Sequence, residues 1–178
     1  IRLELHYINV AAAPRTAEAT STFIPMPEDQ VEHEANIMFM GDTGIYIPPP
    51  PNGEVRLGPS FIQIPSRFNG VSYFAITGHE HQWGTNVYVE TSQDAGSQGS
   101  PVYDVPNFQW DEPVTVTHDP PFAVPDGGGF KITCDWNNQS NESVGFGTGV
   151  DDEMCFFWAY YYPSRGPLIC ANGLFACQ

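Results

Sequence analysis

Along most of the chain, apolar and polar residues alternate one for one. Over "IRLELHYINV" (1–10), Ile1, Leu3, Leu5 and Tyr7 fall on one face, and Arg2, Glu4, His6 and Ile8 on the other. That period of two predicts a strand. "AEATSTFI" (17–24) reads as a second strand, and "ANIMFMG" (35–41) as a short apolar one before a turn. "IYIPPPPNGEV" (45–55) is an extended edge followed by a turn at Asn52-Gly53. "SFIQIP" (60–65), "VSYFAITGHEH" (71–81) and "TNVYVET" (85–91) continue the strand pattern. "SQDAGSQGSPVYD" (92–104) is small and polar and reads as a surface loop. "PVTVTHD" (113–119) and "FKITCDWNN" (130–138) alternate again, separated by a turn in "PDGGGF", and "MCFFWAYYYP" (154–163) is the most aromatic strand. No amphipathic helix longer than two turns and no internal repeat emerges.

Short strands between turn signals predict an all-β fold, an antiparallel β-sandwich of jelly-roll or Greek-key type. The chain opens inside a strand and without an initiator Met. Residues 1–10 are therefore read as the end of a missing upstream domain or a first strand, and 11–178 as the sandwich domain.

Composition narrows the partners. With a net charge of −15 and a single lysine, Lys131, the surface repels nucleic acid and anionic membranes. No apolar run approaches the length of a membrane span. Seventeen Gly and seventeen Pro favour turns over long helices. Four cysteines, Cys134, Cys155, Cys170 and Cys177, contain no CxxC pair, which excludes a zinc knuckle or a thioredoxin-like motif. An even count in such a chain fits an oxidising compartment, and the protein is expected to be secreted, extracellular or periplasmic. Three pairings are possible, and Cys170 and Cys177 are close enough to close a small loop.

The candidate chemistry lies in two stretches. In "TGHEHQW", His79 and His81 are two residues apart on a strand and project to the same side, while Glu80 points away. Two neutral imidazoles so placed are half of a transition-metal site, although a lone HxH is more commonly a solvated pair. In "GVDDEMCFFWAYYYP", Met154 opens the aromatic strand after three acids that read as a solvated turn or, less readily, a calcium loop. A lone Met is ordinarily a core residue. His33 sits among acids and reads as solvated, and His118 reads as structural. Met26, Met38 and Met40 read as core or loop residues.

Together these stretches carry a resemblance. HxH, then "CDWNNQSNESVGFGTGVDDEMCFFWAYYYP", is similar to the C-terminal domain of the copper type II, ascorbate-dependent monooxygenases, the family of the peptidylglycine α-hydroxylating and dopamine β-monooxygenases. The resemblance implies one copper per chain, held by His79, His81 and Met154, which activates dioxygen with electrons from ascorbate. It also implies a Cys134–Cys155 disulfide, with Cys170–Cys177 as the second. "LELHYIN" resembles the end of the family's N-terminal domain, whose His, here His6, is one of three ligands of an electron-transferring copper. The adjacent His-His pair that completes that site is absent from this sequence, so the second site is incomplete and an upstream or separate electron-transfer domain is implied. At the positions where peptide-hydroxylating members carry Arg, Asn and Tyr, this chain carries Thr77, Phe156 and Trp158. A guanidinium fork is replaced by an uncharged group, and the expected substrate is an uncharged small molecule rather than a peptide glycine. The alternative is a mononuclear copper-binding or structural jelly-roll module of an extracellular assembly, without turnover of its own.

Overall fold

The computed structural model describes residues 12–174 and 177. The chain divides into two units, 1–32 and 33–178. In the first, residues 12–32 are exposed throughout and form a single 3-10 turn, Glu28–Gln30. The strand expected over 17–24 does not form. Its alternating residues are Ala, Ser, Thr and Glu, which give no apolar face to bury, and the two large apolar side chains, Phe23 and Ile24, remain exposed. The strand expected over 1–10, with His6, lies outside the described residues.

The second unit is an antiparallel β-sandwich. Chain order runs β1 (Asn36–Asp42), β2 (Tyr46–Ile47), β3 (Glu54–Gln63), β4 (Ser72–His79), β5 (Gly84–Ser92) and β6 (Ser100–Asp104). There follow β7 (Thr115–Phe122), β8 (Gly129–Asn137), β9 (Val144–Gly145), β10 (Phe156–Tyr162) and β11 (Leu168–Asn172). One sheet is ordered β11-β1-β10-β4-β7 and the other β3-β8-β5-β6, with β2 and β9 forming a small separate ladder. In the five-stranded sheet every neighbouring pair is distant in sequence, as Greek-key crossings between two sheets require. Among the strands of the described residues only β1 and β11 pair in parallel, with an isolated parallel bridge between Phe146 and Glu153.

The alternation seen in the sequence becomes the two faces of this sheet. Met38 and Met40 of β1, Phe157, Ala159 and Tyr161 of β10, and Tyr73 and Ile76 of β4 are buried against Val87, Val89, Phe130 and Ile132 of the opposite sheet. Trp158, Tyr160 and Tyr162 point to the other side and are half-buried. Gly78 sits where the sheets approach closely. A Cβ there would lie 2.8 Å from both Val87 and Tyr103, so only glycine fits.

Both expected disulfides are present, Cys134–Cys155 and Cys170–Cys177. The first joins β8 of one sheet to the segment that leads into β10 of the other. "SPVYD", read as part of a polar loop, is instead β6, with Val102 and Tyr103 buried. Its polar flanks mask an apolar pair that has a hairpin partner in β5. Among the described residues no helix is long and apolar enough to cross a membrane.

Candidate metal centre

β4 and β10 run antiparallel with His79 opposite Phe156 and Thr77 opposite Trp158. Beyond that pair the His81 backbone N–H reaches the Glu153 carboxylate and its ring the Asp152 carbonyl oxygen, in the two residues just before Met154. The HxH turn and the Met motif, seventy-odd residues apart in sequence, thus meet at one end of the sandwich. The His79 and His81 rings lie 5.2 Å apart between centroids and stand nearly perpendicular, at 81°.

The surroundings of the two imidazoles differ. Burial, with the neighbouring His81 as a lesser cause, lowers the pKa of His79 to about 4, so it is neutral at physiological pH. His81 places Nδ1 2.9 Å from the carbonyl oxygen of Asp152. A ring nitrogen facing a carbonyl donates its hydrogen, so Nε2 is the nitrogen available to a metal. Among the described residues no cluster of three His, Cys, Asp or Glu could hold a metal ion. A two-histidine site here needs a third donor of another kind, and Met154, the residue that follows Glu153, carries the candidate thioether.

The link between the two motifs is Glu153. It was read as part of a solvated acidic turn, but it is 0 % exposed. Its Oε2 accepts the His81 backbone N–H at 2.9 Å, the Trp136 indole N–H at 3.0 Å and the Met154 N–H at 3.3 Å, and its Oε1 accepts the Trp83 N–H at 2.7 Å. Burial pushes the carboxyl above the ordinary range, and the Trp83, His81 and Trp136 donors oppose that shift. Asp151 of the same run is exposed, and Asp152 spends Oδ2 on the Gly149 N–H at 2.9 Å, so the three acids do not form a calcium loop.

Glu80, which points away from the histidines, is also 0 % exposed, and neither carboxyl oxygen has a hydrogen-bond partner. Burial and the nearby Glu153 and Asp135 carboxyls raise its pKa to about 10, while the backbone of Asn86 and Asp135 pulls the other way without reaching bonding geometry. Glu80 is therefore neutral in the fold. A Cβ at Gly84 would lie 2.3 Å from Glu80, so glycine is required where the turn folds back.

Thr77 is buried and shares a 2.7 Å hydroxyl contact with Thr115. Trp158 meets the His79 ring edge-on at 5.0 Å. Phe156 is 3 % exposed, stacked on Phe39 at 4.6 Å with Phe146 at 6.0 Å. His33 stacks on Tyr162 at 4.8 Å, and His118 Nε2 lies 2.9 Å from the Val102 carbonyl oxygen, a structural contact. Met38 and Met40 are core residues and Met26 is exposed.

The family model of the copper type II ascorbate-dependent monooxygenase C-terminal domain matches residues 33–174. The chain belongs to this family. The match begins where the compact unit begins and spans both motifs, so the copper monooxygenase domain is the sandwich itself. No curated protein matches the chain. Of the residues that frame the centre, Glu153 and Glu80 are those that sequence reasoning missed. The only signal was position, since one directly precedes Met154 and the other lies between the two histidines.

Proposed function

We propose that this domain is the oxygen-activating half of a copper monooxygenase, with one copper held by His79, His81 and Met154. The observation that carries the ligand set is the Glu153 carboxyl, which binds the backbone of both His81 and Met154 and so ties the second and third donors to one buried anchor. Two neutral imidazoles and a thioether form a soft set that favours Cu(I) over zinc, magnesium or calcium. When bound, copper would supply dioxygen activation for hydroxylating a C–H bond, with ascorbate as the electron source and a separate electron-transfer copper domain as partner.

The chain's own residues orient and shield. The Asp152 carbonyl fixes the His81 ring, burial keeps His79 unprotonated, and Trp158 covers one edge of His79. Thr77 offers a substrate no charge, and Trp158, packed against Phe39, offers a flat apolar surface. These features favour an uncharged ring or alkyl group, and the net charge of −15 disfavours an anion. Two disulfides support a secreted protein.

The test is Cu(I) affinity, measured by competition with a chromophoric chelator. His79→Ala and His81→Ala are each expected to lose more than the ~10–100-fold typical of residues that only support a ligand. Met154→Leu, which keeps the volume, is expected to lose about tenfold or more. Wild-type affinity in Met154→Leu would remove the thioether from the site.

A further inference from the structure

Between β8 and β9 the chain carries two Asn-X-Ser triplets back to back, Asn138-Gln139-Ser140 and Asn141-Glu142-Ser143. This triplet, with X other than Pro, is the acceptor sequence for N-linked glycans in the secretory pathway. The two asparagines are three positions apart and have opposite surroundings.

Asn138 is 0 % exposed. Its Nδ2 faces three carbonyl oxygens, those of Glu142 at 2.8 Å, Pro48 at 3.1 Å and Ile47 at 3.3 Å. Its Oδ1 accepts the Ser140 N–H at 2.8 Å and the Ser140 hydroxyl at 2.7 Å, and its backbone N–H donates to the Gly53 carbonyl at 2.9 Å. This side chain is the pivot of the turn. A sugar on Nδ2 would replace one of its hydrogens and would have to fill space that three carbonyls already occupy. Asn141 stands at the exposed tip of the same turn, between Ser140 and the exposed Glu142 and Ser143.

We propose that Asn141 is an N-glycosylation site and that Asn138 is not. In the transfer, Asn141 Nδ2 attacks the anomeric carbon of a lipid-pyrophosphate-linked oligosaccharide. A carbon–nitrogen bond forms, the carbon–oxygen bond to the pyrophosphate breaks, Nδ2 gives up one proton and the lipid pyrophosphate leaves, with no change of oxidation state. A chain glycosylated at Asn138 could not close the turn against Ile47 and Pro48, so folded, secreted protein carries the glycan on Asn141 alone. The two disulfides fit the same compartment. The inference stands apart from the metal reading.

The test is to secrete this chain from a eukaryotic cell line behind a leader peptide, release glycans with peptide-N-glycosidase in isotopically heavy water, and map the peptides. Asn141 is expected to appear as heavy Asp and Asn138 as unmodified Asn. Asn141→Gln and Ser143→Ala, both at exposed positions, are each expected to give secreted protein that migrates as the deglycosylated form does. An unmodified Asn141 in the folded, secreted protein, or heavy label at Asn138, would overturn the proposal.

Discussion

Glu80 and Glu153 are both wholly buried, belong to the HxH and Met motifs respectively, and have opposite surroundings. Glu153 is an acceptor surrounded by four donors. In Glu153→Gln, whichever oxygen becomes an amide nitrogen must then face at least one N–H. The expected cost is about 1.5–3 kcal/mol, the scale for a buried hydrogen bond to a charged group. Urea denaturation of the copper-free chain would read it, and an unchanged midpoint would mean that the carboxyl is not the anchor described. Glu80 has no donor to lose. Its carboxyl is already neutral in the fold, whereas in the unfolded chain it ionises freely above its ordinary value of 4.5. Because folding at neutral pH must return a proton to this group, Glu80→Gln is expected to leave stability at pH 7 unchanged or to raise it. A large loss in the same denaturation experiment would show that the Glu80 carboxyl has a partner.

At the scale of elements, the end of β10 is held to the opposite sheet by Cys134–Cys155, which closes a span of 21 residues. Replacing both with Ala is expected to cost about 3 kcal/mol in the chain-entropy picture and to weaken Cu(I) binding, since Met154 directly precedes Cys155. Denaturant midpoints and chelator competition on the same preparation would separate the two effects. A second cross-strand tie links β3 to β8, where Arg56 donates to both Asp135 oxygens at 2.6 and 2.8 Å, and Asn86 adds a bond at 3.1 Å. The Arg56 hydrogen bond is the main cause that holds the Asp135 carboxyl below its ordinary value of 3.8. With the folded pKa depressed, the pair's contribution is present above the unfolded value and lost as pH falls through the folded one. Asp135→Asn should therefore lower the melting temperature at pH 7 and match wild type in strong acid. The effect is small because Arg56 is 67 % exposed. Elements with a clean apolar face, such as β4, β5, β8 and β10, were legible in the sequence. β9 and β11 were not, because a two-residue ladder and a parallel edge strand on β1 depend on partners far along the chain. The HxH and Met motifs stood out only in combination, through the resemblance to the family, since taken singly they read as a solvated pair and a core residue. Their anchor was hidden, because an acid in an acidic run reads as solvated until Trp83 and Trp136 are seen to close over it.

For the whole molecule the question is how many metal ions it can hold. Of its five histidines, His118 spends Nε2 on a carbonyl, His33 stacks on Tyr162, and His6 lies outside the described residues. The four cysteines are taken up in disulfides, and Met38 and Met40 are sealed in the core. Among the described residues His79 and His81 lie side by side, and with Met154 they form the one copper set proposed above. The acidic surface attracts further cations, but without geometry it holds them weakly and gives them up to salt. The expected result is one copper per chain after gel filtration in salt, with a single type II signal in electron paramagnetic resonance after oxidation. That signal should vanish in His79→Ala and persist in His118→Ala. Hydroxylating a C–H bond with dioxygen draws more electrons than one cuprous ion can give. These 178 residues with ascorbate are therefore expected to reduce copper without sustained product formation, until a domain carrying an electron-transfer copper is added. Two tightly held coppers per chain, or steady ascorbate-driven turnover by the chain alone, would mean that a second centre forms, with His6 the histidine left to build it.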